Sequence, residues 1–300
     1  TAMDGRRGAL IHALGAVEMA LWDVKGKALN KPVFELLGGA ARTKVTPYAS
    51  LQPSGHSFEE YRDSLVEWAL RAKQLGFRAM KAEVTLGGPY AHSNLHESYD
   101  RHTEIVAAVR SAIGPEVELM IDVQYLWDTY EDAITVVSDW AEFDLFFLET
   151  PIWVDNLDDY ARLHDAAPMR IAMGEWLATR HEFEQAMDRG KLDVVQPDVG
   201  RVGGLSEARA VCEMAAERGR IVVPHCWKTG ISVSATAHLA FVTPQCPFIE
   251  YLPPDICEDT LRKELVEEDI YLVDGYLGRP TKPGLGVELN WEAIKRYQVL

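Results

Sequence analysis

From residue 45 onward, short apolar runs alternate with longer stretches whose apolar residues recur at helical spacing. The runs are "VTPYASL", "AMKAEV", "VELMIDV", "LFFLETP", "IAMGEW", "DVVQPDV", "IVVPHC" and "PFIEYL". Each is too short and too evenly apolar for an amphipathic helix and reads as a strand covered on both faces. Between them, the clearest helix opens with Ser57 and Glu60 as a capping box. It carries Leu65, Trp68, Ala69 and Ala72 at i, i+3, i+4 and i+7, and stops at Gly76. Another runs from near Ser206 to Gly219. Apolar strands alternating with helices predict parallel βα units, and eight such strands are the number that closes a barrel. Two segments stand outside the repeat. Residues 10–29 form a helix with a wide apolar face, residues 282–299 form a terminal segment ending in a short helix, and the two are expected to pack together as a flanking subdomain.

Composition narrows the class. The 300 residues suit one large α/β barrel, which takes about 250. No apolar stretch approaches the ~20 residues of a membrane helix, and the opening residues do not read as a signal peptide. With 46 acidic residues against 30 basic ones, the net charge of −16 argues against nucleic acid or an anionic membrane as partner. It leaves some of the acids available to hold a cation instead. Cys212, Cys226, Cys246 and Cys257 form no CxxC pair, which fits a reducing cytoplasm better than a disulfide framework or a zinc site.

The chemistry is expected where the apolar runs end, since a parallel barrel carries its site at the C-terminal ends of its strands. Asp122, Glu149, Glu175, Asp198, His225 and Glu250 terminate successive runs at separations of 23 to 27 residues, one polar group per βα unit. A single acid in such a place is an ordinary helix cap or loop residue. Asp122, Glu149 and Glu175 in consecutive units would bring like charges to one mouth, and a hard divalent cation such as Mg²⁺, which takes oxygen ligands, resolves that conflict. Asp198 and His225 follow on adjacent strands: a carboxylate bonded to one imidazole nitrogen fixes the tautomer and raises the basicity of the other. His225 is therefore read as a general base. Glu250 is read as a group that bonds a substrate oxygen or, when protonated, donates to a developing enolate.

These residues resemble the enolase superfamily, specifically its mandelate racemase-like group. "ALGAVEMALWDVKGKALNKPVFELLGG" is similar to that group's helix before the barrel, and the acids and the Asp198/His225 dyad fall in its order. The resemblance implies a TIM-like (β/α)7β barrel over residues 43–252. A helical remnant of a capping domain would cover 1–42 and a segment returning to it 253–300, with most of an α+β capping part missing from the chain. It also implies Mg²⁺ on Asp122, Glu149 and Glu175, removal of the proton α to a substrate carboxylate through an enediolate, and a homo-oligomer.

Where that group often has Lys-x-Lys, this sequence has Lys81 and Glu83, which as i and i+2 of a strand share one side. His225 is then left as the one strong base, which favours a dehydratase converting an aldonate or aldarate to a 2-keto-3-deoxy acid. Glu83 is an alternative second acid or base. Two other readings stay open: a racemase, epimerase or cycloisomerase using the same metal and histidine, and a non-catalytic metal- or ligand-binding homologue. Gln124, Tyr125, Trp227 and His92 are the candidate substrate contacts, with Lys228 beside them. The glycines of "DVGRVGGLSEAR" match no phosphate-binding fingerprint and read as a tight βα turn.

Overall fold

A computed structural model of the chain describes residues 5–298 except 228, 258 and 271, so Lys228 lies outside the described residues. Helices α1 (Ala9–Leu29) and α2 (Val33–Leu36) precede the first strand. The repeat then runs β1 (Lys44–Leu51), α3 (Phe58–Gln74), β2 (Ala79–Glu83), α4 (Tyr99–Ile113), β3 (Glu118–Asp122), α5 (Tyr130–Val137), β4 (Leu145–Glu149) and α6 (Leu157–Ala166). It continues through β5 (Arg170–Met173), α7 (Arg180–Asp188), β6 (Val194–Val195), α8 (Leu205–Glu217), β7 (Ile221–Val222), α9 (Gly230–Val242) and β8 (Phe248–Tyr251). A short α10 (Thr260–Glu264), β9 (Leu277–Gly278) and α11 (Trp291–Tyr297) close the chain. All eight expected strands form, each of the first seven followed by its helix. This is the element order of a TIM-like α/β barrel.

The chain divides into two compact units. One comprises Tyr48–Gly174 and Glu184–Val195; the other comprises Thr1–Pro47, Glu175–Phe183 and Gln196–Leu300. In the first, β1 to β6 pair in parallel in chain order. Register places Glu83 opposite Asp122, and Asp122 opposite Glu149. Apolar residues on both faces of these strands are buried, among them Leu119, Ile121, Phe147 and Leu148, as a sheet covered on both sides requires. The capping box that starts α3 is present: Ser57 Oγ accepts from the Glu60 N–H and the Glu60 carboxylate accepts from the Ser57 N–H. Leu65, Ala69 and Ala72 bury the inner face of α3.

In the second unit, α1 is fastened by carboxylates to distant backbone. Glu18 accepts N–H bonds from Leu205 at 2.7 Å and Ser206 at 3.1 Å, satisfying the open first turn of α8. Gly204 precedes that turn at φ 110°, and a Cβ there would run into the Glu18 side chain, so glycine is required twice over. Asp23 accepts from the Leu285 N–H at 2.8 Å. The expected packing of residues 10–29 against the terminal segment is thus realised through polar bonds. Much of the apolar stripe of α1 faces outward, with Leu14, Val17, Leu21 and Val24 exposed. No helix among the described residues is long and apolar enough to cross a membrane.

Candidate active site

The strand-end residues form two clusters, one in each unit. In the first unit, Lys81, Asp122 and Glu149 have side chains at most 7% exposed. The Lys81 ammonium donates to Glu149 at 2.9 Å and lies 3.6 Å from Asp122, neutralising two buried carboxylates that register places side by side. One oxygen of Asp122 also accepts from the Gln124 N–H at 3.0 Å and the Thr150 hydroxyl at 2.8 Å.

Thr150 was not among the residues expected from sequence. It is fully buried and held at φ 45°, a region a β-branched residue rarely enters, and it precedes Pro151, which further disfavours helical backbone. Such strain persists where surroundings impose it, and here the imposed geometry aims a hydroxyl at Asp122. The signal available in the sequence was a small hydroxyl residue wedged between a strand-end acid and a proline.

Glu83, half-buried, accepts from the Thr85 hydroxyl at 3.2 Å, and its backbone carbonyl accepts from the Tyr61 hydroxyl at 2.7 Å. Gln124 and Tyr125 both sit at positive φ, 43° and 62°, so the chain turns sharply just past Asp122. His92 packs its ring edge-on against Tyr61, and its Nε2 lies 3.0 Å from the Gly55 carbonyl; its contacts join two loops.

In the second unit the cluster centres on His225. Nδ1 bonds Asp198 at 2.7 Å; Nε2 lies 3.0 Å from Glu175 and 3.5 Å from Glu250. Burial alone would lower this imidazole's pKa. The charges of Glu250 and Glu175 and the bonds to Asp198 and Glu175 outweigh that and raise it to about 10, so the ring is an imidazolium at neutral pH. Glu250 accepts from the Cys226 N–H at 2.7 Å, which marks it as an acceptor.

Arg201 is a further member of the cluster that the glycine-rich turn expected over this segment does not reveal. The turn is there, with Gly203 and Gly204 at φ 103° and 110°. Its arginine donates to the Glu175 backbone carbonyl at 3.2 Å, lies 3.4 Å from the Glu175 carboxylate and 3.8 Å from Asp198, and stacks on Trp176 at 3.7 Å. A cation three residues beyond a strand-end acid was the available clue. Trp227, on the same strand end as His225, is 38% exposed.

Asp122 and Glu149, buried register neighbours within the first unit, offer oxygen donors of the kind Mg²⁺ takes. Among the described residues no three acid, histidine or cysteine side chains are gathered as a metal cage. Each expected ligand has a cationic partner of its own: Lys81 for Asp122 and Glu149, Arg201 and His225 for Glu175.

Residues 64–293 match the enolase C-terminal domain-like family, and residues 3–38 match the N-terminal domain of mandelate racemase and muconate lactonizing enzyme. Among similar curated proteins, D-galactarolactone cycloisomerase of Agrobacterium fabrum is 32% identical across 99% of this chain and 76% of its own length. Arabinonate dehydratase of Saccharolobus solfataricus is 31% identical across 98% and 74%. The crystal structure of 3,6-anhydro-D-galactonate cycloisomerase from Zobellia galactanivorans superposes with a TM-score of 0.88 at 33% identity, covering 100% of this chain and 79% of that one.

Proposed function

Because the chain belongs to the mandelate racemase-like group of the enolase superfamily, we propose that it is a Mg²⁺-dependent dehydratase of a sugar acid, an aldonate or aldarate. The observation that carries this reading is the buried His225, oriented by Asp198 at 2.7 Å and surrounded by acids. A single histidine able to hold and return one proton suits elimination, whereas racemisation calls for acid and base on two faces.

In this reading Asp122, Glu149 and Glu175 would hold the Mg²⁺, which would supply Lewis-acid stabilisation of the negative charge that develops on the substrate. Thr150 and the Gln124 N–H keep Asp122 oriented for that role. A cation on Glu175 would offset much of the acid charge that raises the His225 pKa, so that Nε2, then deprotonated, takes the α-proton while the C–H electron pair moves toward the carboxylate. The same nitrogen then returns its proton to the departing β-hydroxyl, so the C–O bond breaks and water leaves. The resulting enol tautomerises to the 2-keto-3-deoxy acid. Asp198 keeps the ring in the tautomer that presents Nε2, Glu250 bonds a substrate oxygen, and Lys81 and Glu83 place the substrate hydroxyls.

A second reading, cycloisomerisation with the same metal and base, draws support from the galactarolactone and anhydrogalactonate relatives. Proton NMR in D₂O with Mg²⁺, a panel of aldonic, aldaric and lactone substrates, and an EDTA control separates the two. Loss of the α-proton with new C3 methylene signals establishes dehydration. A ring opened or closed without loss of water establishes cycloisomerisation. Silence with every acid, with and without Mg²⁺, would overturn both.

A further inference from the structure

Within the second unit a cavity of about 410 Å³ reaches the His225 cluster at Arg201 and is walled elsewhere by His12, Ala16 and Met19 of α1, by Trp176 and by Ser232. Two hydrogen-bond donors in that wall have no partner among the described residues. Arg201 commits Nη1 to the Glu175 carbonyl at 3.2 Å and turns Nε toward Asp198 at 3.8 Å, which leaves both N–H groups of Nη2 open. The hydroxyl of Ser232, a residue only 8% exposed, bonds to nothing. Buried polar groups are ordinarily paired, so an unpartnered hydroxyl and a half-used guanidinium lining one cavity call for an explanation.

Both donors are held in place. The Asp198 carboxylate accepts from the Gly200 N–H at 2.7 Å and the Arg201 N–H at 3.2 Å, and the guanidinium rests on the Trp176 ring at 3.7 Å, so its open edge is fixed. Ser232 is the third residue of α9, whose N-cap residue Thr229 places no side-chain oxygen on the first turn. The positive end of that helix therefore lies beside the hydroxyl and adds to it. Glu175 and Asp198 face the other two guanidinium nitrogens. The Glu175 oxygen 3.4 Å from Arg201 Nη1 is also the one 3.0 Å from His225 Nε2, so a single carboxylate separates the cavity wall from the proton carrier.

The geometry points to an anion subsite in this cavity: Arg201 Nη2 and the Ser232 hydroxyl receive the far carboxylate of an aldarate whose other end reacts beside Glu175 and His225. A carboxylate accepts charge-assisted bonds from Nη2 and a further bond from the hydroxyl, and the first turn of α9 adds favourable partial charge. The side chains of Ala16 and Met19 keep the local dielectric low, which strengthens each of these bonds. The primary alcohol that ends an aldonate offers Nη2 only a neutral oxygen, and a bond about half as strong. The inference rests on the sugar-acid reading above, and adds that the substrate carries a carboxylate at both ends and that Arg201 and Ser232 select it.

The test uses the full chain with Mg²⁺ and probes paired by configuration: galactarate with D-galactonate, and D-glucarate with D-gluconate. Calorimetric titration is run on the wild type, Ser232→Ala, Ser232→Thr and Arg201→Lys, each checked for folding by its thermal melt. In at least one pair the wild type is expected to bind the aldarate about tenfold or more tighter than the aldonate. Ser232→Ala is expected to cut that preference about fivefold while aldonate affinity stays within about twofold, and Ser232→Thr, which keeps the hydroxyl, to retain most of it. Arg201→Lys keeps a positive charge beside Glu175 but loses the outer pair of N–H groups, and is expected to cut the preference at least as far. Equal binding of aldarate and aldonate by the wild type, equal weakening of both by Ser232→Ala, or no binding of either aldarate would overturn the subsite. Exchange of the α-proton in D₂O, followed on the same samples, separates the two readings. Exchange in both members of a pair without aldarate preference would sink the subsite and leave the reaction standing; aldarate preference without exchange in any probe would do the reverse.

Discussion

The two strand-end clusters answer the same problem, buried carboxylates in close company, with different cations. In the first unit the partner of Asp122 and Glu149 is Lys81, a point charge on a long stem. In the second, Glu175, Asp198 and Glu250 surround His225, whose charge is theirs to set: they overcome the penalty of burial and hold the ring protonated. A lysine in that place would neutralise the acids equally well, but with an ordinary pKa of about 10.4 against about 6.5 for an imidazole it could not come within reach of neutral pH once the acids' charge is offset. The difference separates a cluster suited to holding charge from one suited to moving it.

The largest expected effect breaks the comparison at its centre. His225→Asn keeps a polar side chain of moderate size and removes the proton carrier, and is expected to reduce kcat about 10³-fold or more with Mg²⁺ affinity changed little. Steady-state kinetics with calorimetric Mg²⁺ titration measures both; a variant within tenfold of wild-type kcat would rule His225 out as the base.

The next effect contrasts His225 with another buried histidine of its own unit. His238 has no carboxylate bonded to it: its Nδ1 accepts from the Phe34 N–H at 3.0 Å and its Nε2 donates to the Leu285 carbonyl at 3.1 Å. Burial dominates, and its pKa falls to about 4. The folded value lies below the unfolded one, about 6.5, so the stability tied to the neutral ring is present above pH 6.5 and is lost as pH falls toward 4. The stability difference between wild type and His238→Gln, followed by urea unfolding, is expected to shrink by on the order of 3 kcal/mol over that window. A difference independent of pH would refute the assignment.

On the other side, Thr150→Val keeps the branched shape and deletes the hydroxyl that orients Asp122. Mg²⁺ affinity is expected to fall roughly tenfold, with Thr150→Ser holding close to wild type. Equal loss in both variants would make the effect one of backbone strain instead. The smallest effect lies away from either cluster: Glu18→Ala removes the carboxylate that serves the first turn of α8 and is expected to cost about 1 to 2 kcal/mol in unfolding free energy while kcat is retained.

Much of this could be read along the chain because barrel strands and their terminal residues obey a simple period. Asp122, Glu149, Glu175, Asp198, His225 and Glu250 each lie at or just past the end of a short apolar run, and burial makes such runs conspicuous. Thr150 and Arg201 carry no comparable mark. Thr150 matters through a left-handed backbone that hydropathy does not encode, and Arg201 through a turn that brings it back over Asp198 and Glu175. The partner of Lys81 was equally hidden, since Glu149 lies 68 residues further on.

The bonds that fasten α1 also set a schedule for biosynthesis. Glu18 waits for Leu205, 187 residues later, and Asp23 for Leu285, 262 residues later. At ribosomal rates of about 5 to 20 residues per second, the first of those partners emerges roughly 10 to 40 s after the helix itself. During that interval α1 has only its local contacts with α2, so its docking onto α8 and the terminal segment falls late in synthesis.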